Sequence, residues 1–188
     1  MQVSARDDST GLVRLLNAAS ATMRGSEIEI QMVPNDELSV RMFATYLDAE
    51  YDEFPGADVV VPIGGNVGNV ATIIDASGND VIRAPEYSVN LSLDYSIPTK
   101  YGLMGLSGNV FHSAEYYWDF NNRLSQPAYT LINAEASWTT TDEKYRVSIW
   151  GKNLTDEDVF QQMLPATWAD VVSYEKPVTY GISATVRF

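Results

Sequence analysis

The chain has 188 residues, enough for one sizeable core or for part of a larger domain. Its 25 acidic and 12 basic residues leave a formal net charge of -13, which argues against nucleic acid as a partner and against a polybasic module for a membrane surface. It has no cysteine, which removes disulfides, thiol nucleophiles and thiolate metal sites together.

No stretch approaches the roughly 18 apolar residues of a transmembrane helix. The opening Met1-Gln2-Val3-Ser4-Ala5-Arg6-Asp7-Asp8 has no apolar core and does not read as a secretory signal. A barrel of strands remains open, because each strand needs only about 9–11 residues and half of those face the lumen.

Period-two segments recur along the chain. Thr22 to Met32 alternates, with Ile28, Ile30 and Met32 against Glu27, Glu29 and Gln31, and Val33-Pro34-Asn35-Asp36-Glu37 has turn composition. Leu38 to Tyr51 is the next strand, with Leu38, Val40, Met42 and Ala44 on one face. Its upper half is ambiguous because Phe43 and Leu47 have the other parity. A long connection rich in Gly, Asp and Asn follows from Asp52 to Ala84, with a Val59-Val60-Val61 run inside it.

The cleanest alternation comes next. Tyr87, Val89, Leu91, Leu93, Tyr95 and Ile97 face one way, and Ser88, Asn90, Ser92, Asp94 and Ser96 the other. Aromatic residues near both ends of the apolar face match the interfacial girdles of a lipid-facing strand. After a turn at Pro98-Thr99-Lys100-Tyr101, Leu103 to Tyr117 forms a strand with Leu106, Gly108 and Val110 on its apolar face. Trp118 to Pro127 is a moderate loop. Tyr129 to Trp138 carries Ile132, Ala134, Ala136 and Trp138 outward. A polar turn from Thr139 to Lys144 leads to the strand Tyr145 to Leu154, and a long connection runs from Asp156 to Pro177.

The last nine residues alternate without a break: Tyr180, Ile182, Ala184, Val186 and Phe188 on the dry face, Gly181, Ser183, Thr185 and Arg187 on the wet one. Short turns and long connections also alternate, so in a meander all short turns fall at one end and all long loops at the other. The pattern predicts an all-β chain, an antiparallel up-and-down transmembrane β-barrel. It has seven clear strands, or about eight counting a remnant at Met1 to Ala5, with long extracellular loops and short periplasmic turns.

Several segments resemble one family. Trp150-Gly151-Lys152-Asn153-Leu154-Thr155-Asp156-Glu157-Asp158-Val159-Phe160 resembles the penultimate strand and loop entry of TonB-dependent outer-membrane receptors, with Asn153, Leu154, Thr155 and Asp156 as the motif turn at the rim. Pro177-Val178-Thr179-Tyr180-Gly181 through Phe188 resembles their closing strand. Segments from Asn17-Ala18-Ala19 through Glu29 and from Tyr46 to Tyr51 resemble upstream barrel strands in the same order.

The resemblance implies a location in the outer membrane of a Gram-negative bacterium and energy-coupled uptake of a nutrient, most often a ferric siderophore. The partners it implies are outer-membrane lipid, the barrel-assembly machinery, a plug and further barrel strands, the TonB complex and the ferric ligand, with no nucleic acid. It also implies that the machinery recognises the closing strand through Tyr180, Gly181, Ile182, Ala184, Val186 and Phe188. Such barrels have roughly 22 strands around a plugged lumen. Residues 1–188 therefore read as the C-terminal portion of the barrel domain without plug or coupling segment, and Met1 as an internal methionine. On that reading the chain does not transport alone. The alternative is a free-standing eight-stranded barrel with a structural or adhesive role.

No catalytic constellation stands out, and the chain reads as a non-enzyme with no cofactor or metal. His112 is the only histidine and is expected at a strand top. Gly64-Gly65-Asn66-Val67-Gly68 lacks the strand, helix and lysine of a phosphate loop. Asp48, Glu50, Asp52 and Glu53 match no ordered calcium loop and read as an acidic rim. Asn153-Leu154-Thr155 fits a glycosylation acceptor pattern, which the barrel reading turns into a rim turn. The polar face carries Arg41, Asn90, Asp94, Asn109, Asn133, Glu135 and Arg146, expected to satisfy one another and water. Trp168, Tyr174 and Tyr116-Tyr117-Trp118 are either ligand contacts at the outer mouth or part of the upper girdle.

Overall fold

The computed structural model describes residues 3–6, 13–16, 20–64 and 68–188. Among them the regular structure is entirely β. Seven long strands form one antiparallel sheet: β3 (Ser20–Asn35), β4 (Leu38–Glu53), β7 (Tyr87–Thr99), β8 (Gly102–Ser113), β11 (Tyr129–Thr139), β12 (Tyr145–Lys152) and β15 (Thr179–Val186). They pair in chain order, β3-β4-β7-β8-β11-β12-β15, so the sheet is a pure meander with β3 and β15 at its edges. The expectation of a partial up-and-down barrel holds. No helix among the described residues is long and apolar enough to cross a membrane, which bears on helices alone.

Register carries the alternation from strand to strand. One apolar row runs Ile30–Met42–Leu91–Val110–Ile132, and another runs Leu38–Tyr95–Leu106–Ala136–Ile149–Ile182. A slip of one residue would turn every such side chain to the opposite face, so register is strongly specified. Tyr46 pairs with Tyr87 near the upper limit of this face, and Tyr95, Trp138 and Tyr145 stand exposed near its lower limit. The two exposed aromatic levels fit interfacial girdles.

Three connections at one end are short. Asn35 Oδ1 accepts from the N–H groups of Glu37 and Leu38 at 3.1 and 2.8 Å. The second turn ends on Gly102 at φ 135°, a conformation that L side chains rarely adopt, and a Cβ there would collide with the Thr139 carbonyl. In the third, Glu143 is left-handed at φ 55° and the Thr140 hydroxyl accepts from Tyr145 N–H at 3.1 Å.

The long connections at the other end, whose composition alone predicts loop, each hold a short hairpin. The first contains β5 (Ala57–Pro62) paired with β6 (Asn69–Ile74). The second contains β9 (Tyr116–Tyr117) paired with β10 (Ser125–Gln126). The third contains β13 (Phe160–Pro165) paired with β14 (Asp170–Tyr174). The strand expected from Leu103 to Tyr117 therefore stops at Ser113. The remnant expected at Met1 to Ala5 is also corrected. Residues 3–6 form β1 (Val3–Arg6), which pairs with β2 (Val13–Leu16) in a separate hairpin and does not extend the large sheet; Met1 and Gln2 lie outside the described residues.

The apolar core sits at the upper end of the sheet, between β4 and the first outer connection. Ala49, Tyr51, Phe54, Ala57, Val59, Ala76 and Val81 are buried together, with Phe120 against them. Tyr51, Phe54 and Phe120 have ring centroids 5.1–6.0 Å apart. This explains the mixed parity of β4. At about 3.3 Å per residue its 16 residues run roughly 50 Å along the strand, longer than the roughly 9–11 tilted residues that cross the hydrocarbon layer. Above that layer the face carrying Ser39 and Arg41 turns apolar at Leu47, Ala49 and Tyr51 and packs on the first outer connection.

Candidate functional site

The concave face of the sheet is polar and largely self-satisfied. Arg41 donates to Asp94 at 2.9 Å and Arg146 to Glu135 at 2.8 Å. Asn109 Nδ2 donates to Asn90 Oδ1 at 2.8 Å and to Ser92 Oγ at 3.0 Å. The register rows Gln31–Arg41–Ser92–Asn109–Asn133 and Ser39–Asp94–Ser107–Glu135–Trp150 bring these groups together from strands far apart in sequence. Arg41, Asp94, Asn109, Asn133 and Glu135 line a concavity of about 430 Å³ with Lys152, whose Nζ lies 6.0 Å from the Trp150 ring. All seven polar residues singled out from the sequence lie on this face.

The motif turn is a clamp at the upper rim. Asn153 is left-handed at φ 49° and Asp156 at φ 51°. Asn153 N–H donates to Asn133 Oδ1 at 3.0 Å, and its Nδ2 donates to the carbonyls of Glu157 at 3.0 Å and Lys176 at 3.3 Å. Its Oδ1 accepts from Glu157 N–H at 3.0 Å. Thr155 Oγ1 donates to the Thr130 carbonyl at 2.7 Å, and Asp156 Oδ1 accepts from Val178 N–H at 3.0 Å. Leu154 packs on Gly151. Asn153 alone therefore joins the top of β11 to both ends of the last outer connection. Asparagine suits the position, because it tolerates the left-handed region and both ends of its amide find partners.

The outer tier is held by polar groups that sequence reading missed. Arg123 donates to both carboxylate oxygens of Asp170, at 2.6 and 2.9 Å. Asn69 Nδ2 donates to Asp170 Oδ1 at 3.0 Å and to the Ala166 carbonyl at 2.8 Å. Gln126 Oε1 accepts from Phe160 N–H at 2.7 Å, joining the second connection to the third. The hydrogen bond from Arg123 is the main reason that the Asp170 carboxyl is held below its ordinary range, and the same contact raises Arg123. These residues lie where no periodicity marks a partner, so no local signal identifies them.

The other sequence candidates scatter. In the terminal strand, Tyr180 and Ile182 are strongly exposed on the apolar face and Phe188 is fully exposed beyond the strand end, while Gly181 lies on the concave face against Trp150. His112 stands at the top of β8, stacked on Tyr87 at 5.7 Å with Nδ1 2.8 Å from Thr130 Oγ1. Of the acidic rim, Asp52 accepts from Thr22 Oγ1 at 2.9 Å, and no group of three or more metal-ligating side chains occurs among the described residues. Gly65, Asn66 and Val67 lie outside the described residues, as do Asn17, Ala18 and Ala19. Trp168 is exposed at the turn between β13 and β14; Tyr174 packs on Phe160 with ring centroids 5.1 Å apart and the planes tilted by 56°; Trp118 carries the Arg83 guanidinium at 4.6 Å.

A meander with an apolar girdled outer face, a polar concave face, short turns at one end and structured loops at the other is a transmembrane β-barrel wall of the outer-membrane kind. The chain belongs to the family described as TonB dependent receptor-like, beta-barrel, which matches residues 1–154. Its members are outer-membrane proteins of Gram-negative bacteria, and that membrane is where this sheet resides. The family consists of transport receptors, not enzymes.

Solved structures share the fold. The ferric yersiniabactin uptake receptor FyuA from Yersinia pestis superposes with a TM-score of 0.75 at 21% identity, covering 93% of this chain and 25% of the receptor. The siderophore receptor PiuA from Acinetobacter baumannii gives 0.71 at 18% identity, covering 97% and 24%. BauA, the ferric preacinetobactin receptor of the same organism, gives 0.67 at 23% identity, covering 98% and 25%. The chain thus spans about a quarter of the length of these receptors.

Proposed function

We propose that residues 1–188 are the C-terminal portion of a TonB-dependent receptor barrel, and that the whole receptor takes up a ferric siderophore with energy from the TonB complex. The observation that carries this is the open seven-stranded meander itself, which leaves β3 and β15 at edges. In lipid an unpaired strand edge costs several kcal/mol per orphaned backbone group, so this wall needs further strands to close. Family membership supports the transport role. The three similar receptors are named for ferric yersiniabactin uptake, a siderophore and ferric preacinetobactin, which supports an iron chelate as ligand.

Within that receptor the closing strand is the segment that the barrel-assembly machinery grips, through Tyr180, Gly181, Ile182, Ala184, Val186 and Phe188. The exposed apolar side chains on an edge strand support this reading. The Asn153–Asp156 turn shapes the rim by clamping the last outer loop.

The decisive experiment is uptake of radioactive iron, presented as purified ferric siderophores, in cells with and without the receptor gene, each in a TonB-competent and a TonB-deficient background. Loss of uptake on deletion, and equal loss without TonB, is the expected outcome. Uptake that persists after deletion with every chelate defeats the transport reading. For the assembly role, Phe188→Ala is expected to lower the outer-membrane level of the receptor several-fold; an unchanged level removes Phe188 from that role.

A further inference from the structure

The three outer hairpins share one guanidinium. Arg123 lies between β9 and β10, and its Nη1 and Nη2 donate to Asp170 at the start of β14 at 2.6 and 2.9 Å. Nη2 also donates to the Val60 carbonyl in β5 at 3.1 Å. Asp170 is tied in turn to Asn69, the first residue of β6, whose N–H donates to the Thr167 carbonyl at 2.8 Å. Arg123 is itself fixed from below, because Asp119 Oδ1 accepts from the N–H groups of Arg123 and Leu124, both at 2.9 Å. One side chain of the second connection thus bonds to the other two, 47 and 63 residues from its partners.

The chemistry favours arginine here. Its planar fork meets both oxygens of one carboxylate and still has a donor for a carbonyl, whereas an ammonium is a point donor. The Arg123 side chain is 22% exposed and that of Asp170 29%, so water screens this pair less than an open surface pair. Other bonds join the connections in pairs, Asn69 to Thr167 and Asp170 and Gln126 to Phe160, whereas among the described residues Arg123 is the side chain that hydrogen-bonds to both of the others.

We propose that Arg123 pins the three outer connections into a single lid, so that they open and close over the outer mouth as one body and not as three independent loops. Arg123 is a positioning residue in this scheme. The inference rests on the reading that these connections line the mouth of the receptor, and it names the device that couples them.

Hydrogen exchange on the full-length receptor in detergent, without ligand, tests it. In Arg123→Ala, peptides covering β5–β6 and β13–β14 are expected to exchange faster by a similar factor, about tenfold, while β7, β8 and β11 keep their protection. Arg123→Lys, which keeps charge and loses the fork, is expected to give the same joint increase. Faster exchange confined to the segment around residue 123, or none, overturns the proposal. So does wild-type exchange in Arg123→Lys, and so does a loss of protection that spreads into the barrel strands, which would make Arg123 a general folding residue. No ligand enters this measurement, so a failed uptake assay leaves its result standing, and the reverse also holds.

Discussion

Trp150 and Gly181 face each other across the β12–β15 pair, and the indole lies over the glycine: a Cβ built on Gly181 would come within 2.7 Å of Trp150 Cζ2. The ring is anchored there by Nε1, which donates to Ser183 Oγ at 3.0 Å. The last strand therefore contributes a missing side chain on its concave face as well as an apolar row on its outer face.

This contact predicts a specific cost for filling the space. In the whole receptor, Gly181→Val should lower stability by about 1–3 kcal/mol, the usual range for overpacking, read as a lower urea midpoint of heat-modifiable mobility. Trp150→Ala in the same molecule should recover most of the loss. An equal penalty with and without the indole would show that the ring contact is not its source.

Asn153 should be hard to replace. Asn153→Ala removes the amide bonds to Glu157 and Lys176 and leaves a left-handed residue without its tolerant side chain, a combined cost of about 2–4 kcal/mol. Limited proteolysis reports the result: cleavage within 157–177 should accelerate in Asn153→Ala and less in Asn153→Asp, which keeps the acceptor bond to Glu157 N–H. Unchanged cleavage in Asn153→Ala would mean the turn does not hold the last connection.

The two faces of β7 should respond oppositely to charge. Leu91 lies in the apolar row between Met42 and Val110, whereas Ser92 lies between Arg41 and Asn109. Leu91→Arg is expected to cost about 2–4 kcal/mol near the bilayer midplane, and Ser92→Arg much less. The folded fraction in bilayers compares them; equal losses would contradict the assignment of faces.

The outer tier should be insensitive to mild acid. The Asp170 carboxyl is held below its ordinary range, so the stability it contributes is fully present above the unfolded value near 3.9 and is lost only as pH falls through the lower folded value. Protease resistance of the β13–β14 hairpin should therefore stay flat from neutral pH down to about 5 and fall below about 4. In Asp170→Asn the hairpin should be weaker throughout and lose this step. A step at higher pH would point to another group.

Much of the wall was legible because one solvent boundary imposes a period of two. Tyr87 to Ile97 alternates since each apolar residue meets lipid and each polar one the lumen, and the structure keeps that strand almost unchanged. The upper half of β4 resisted reading for a physical reason: Leu47, Ala49 and Tyr51 meet neither lipid nor lumen water but the core between β4 and the first outer connection. The Val59-Val60-Val61 run belongs to β5, where Val59 is buried in that core while Val60 is half-buried on the other face, so apolar side chains occupy both faces. Gly181 stood out only as part of a strand; that it accommodates an indole depends on a residue 31 positions earlier in the chain.

By itself the sequence determined which strands form the wall, which of their faces meets lipid, and at which end the long connections lie, because these follow from local alternation and connection length. Only the tertiary structure decided how the outer end is organised. Arg123 finds Asp170 and Val60, Asn153 finds Lys176, and Tyr51 finds Phe120 through long-range closure, and contacts between residues tens of positions apart leave no periodic trace in the chain that makes them.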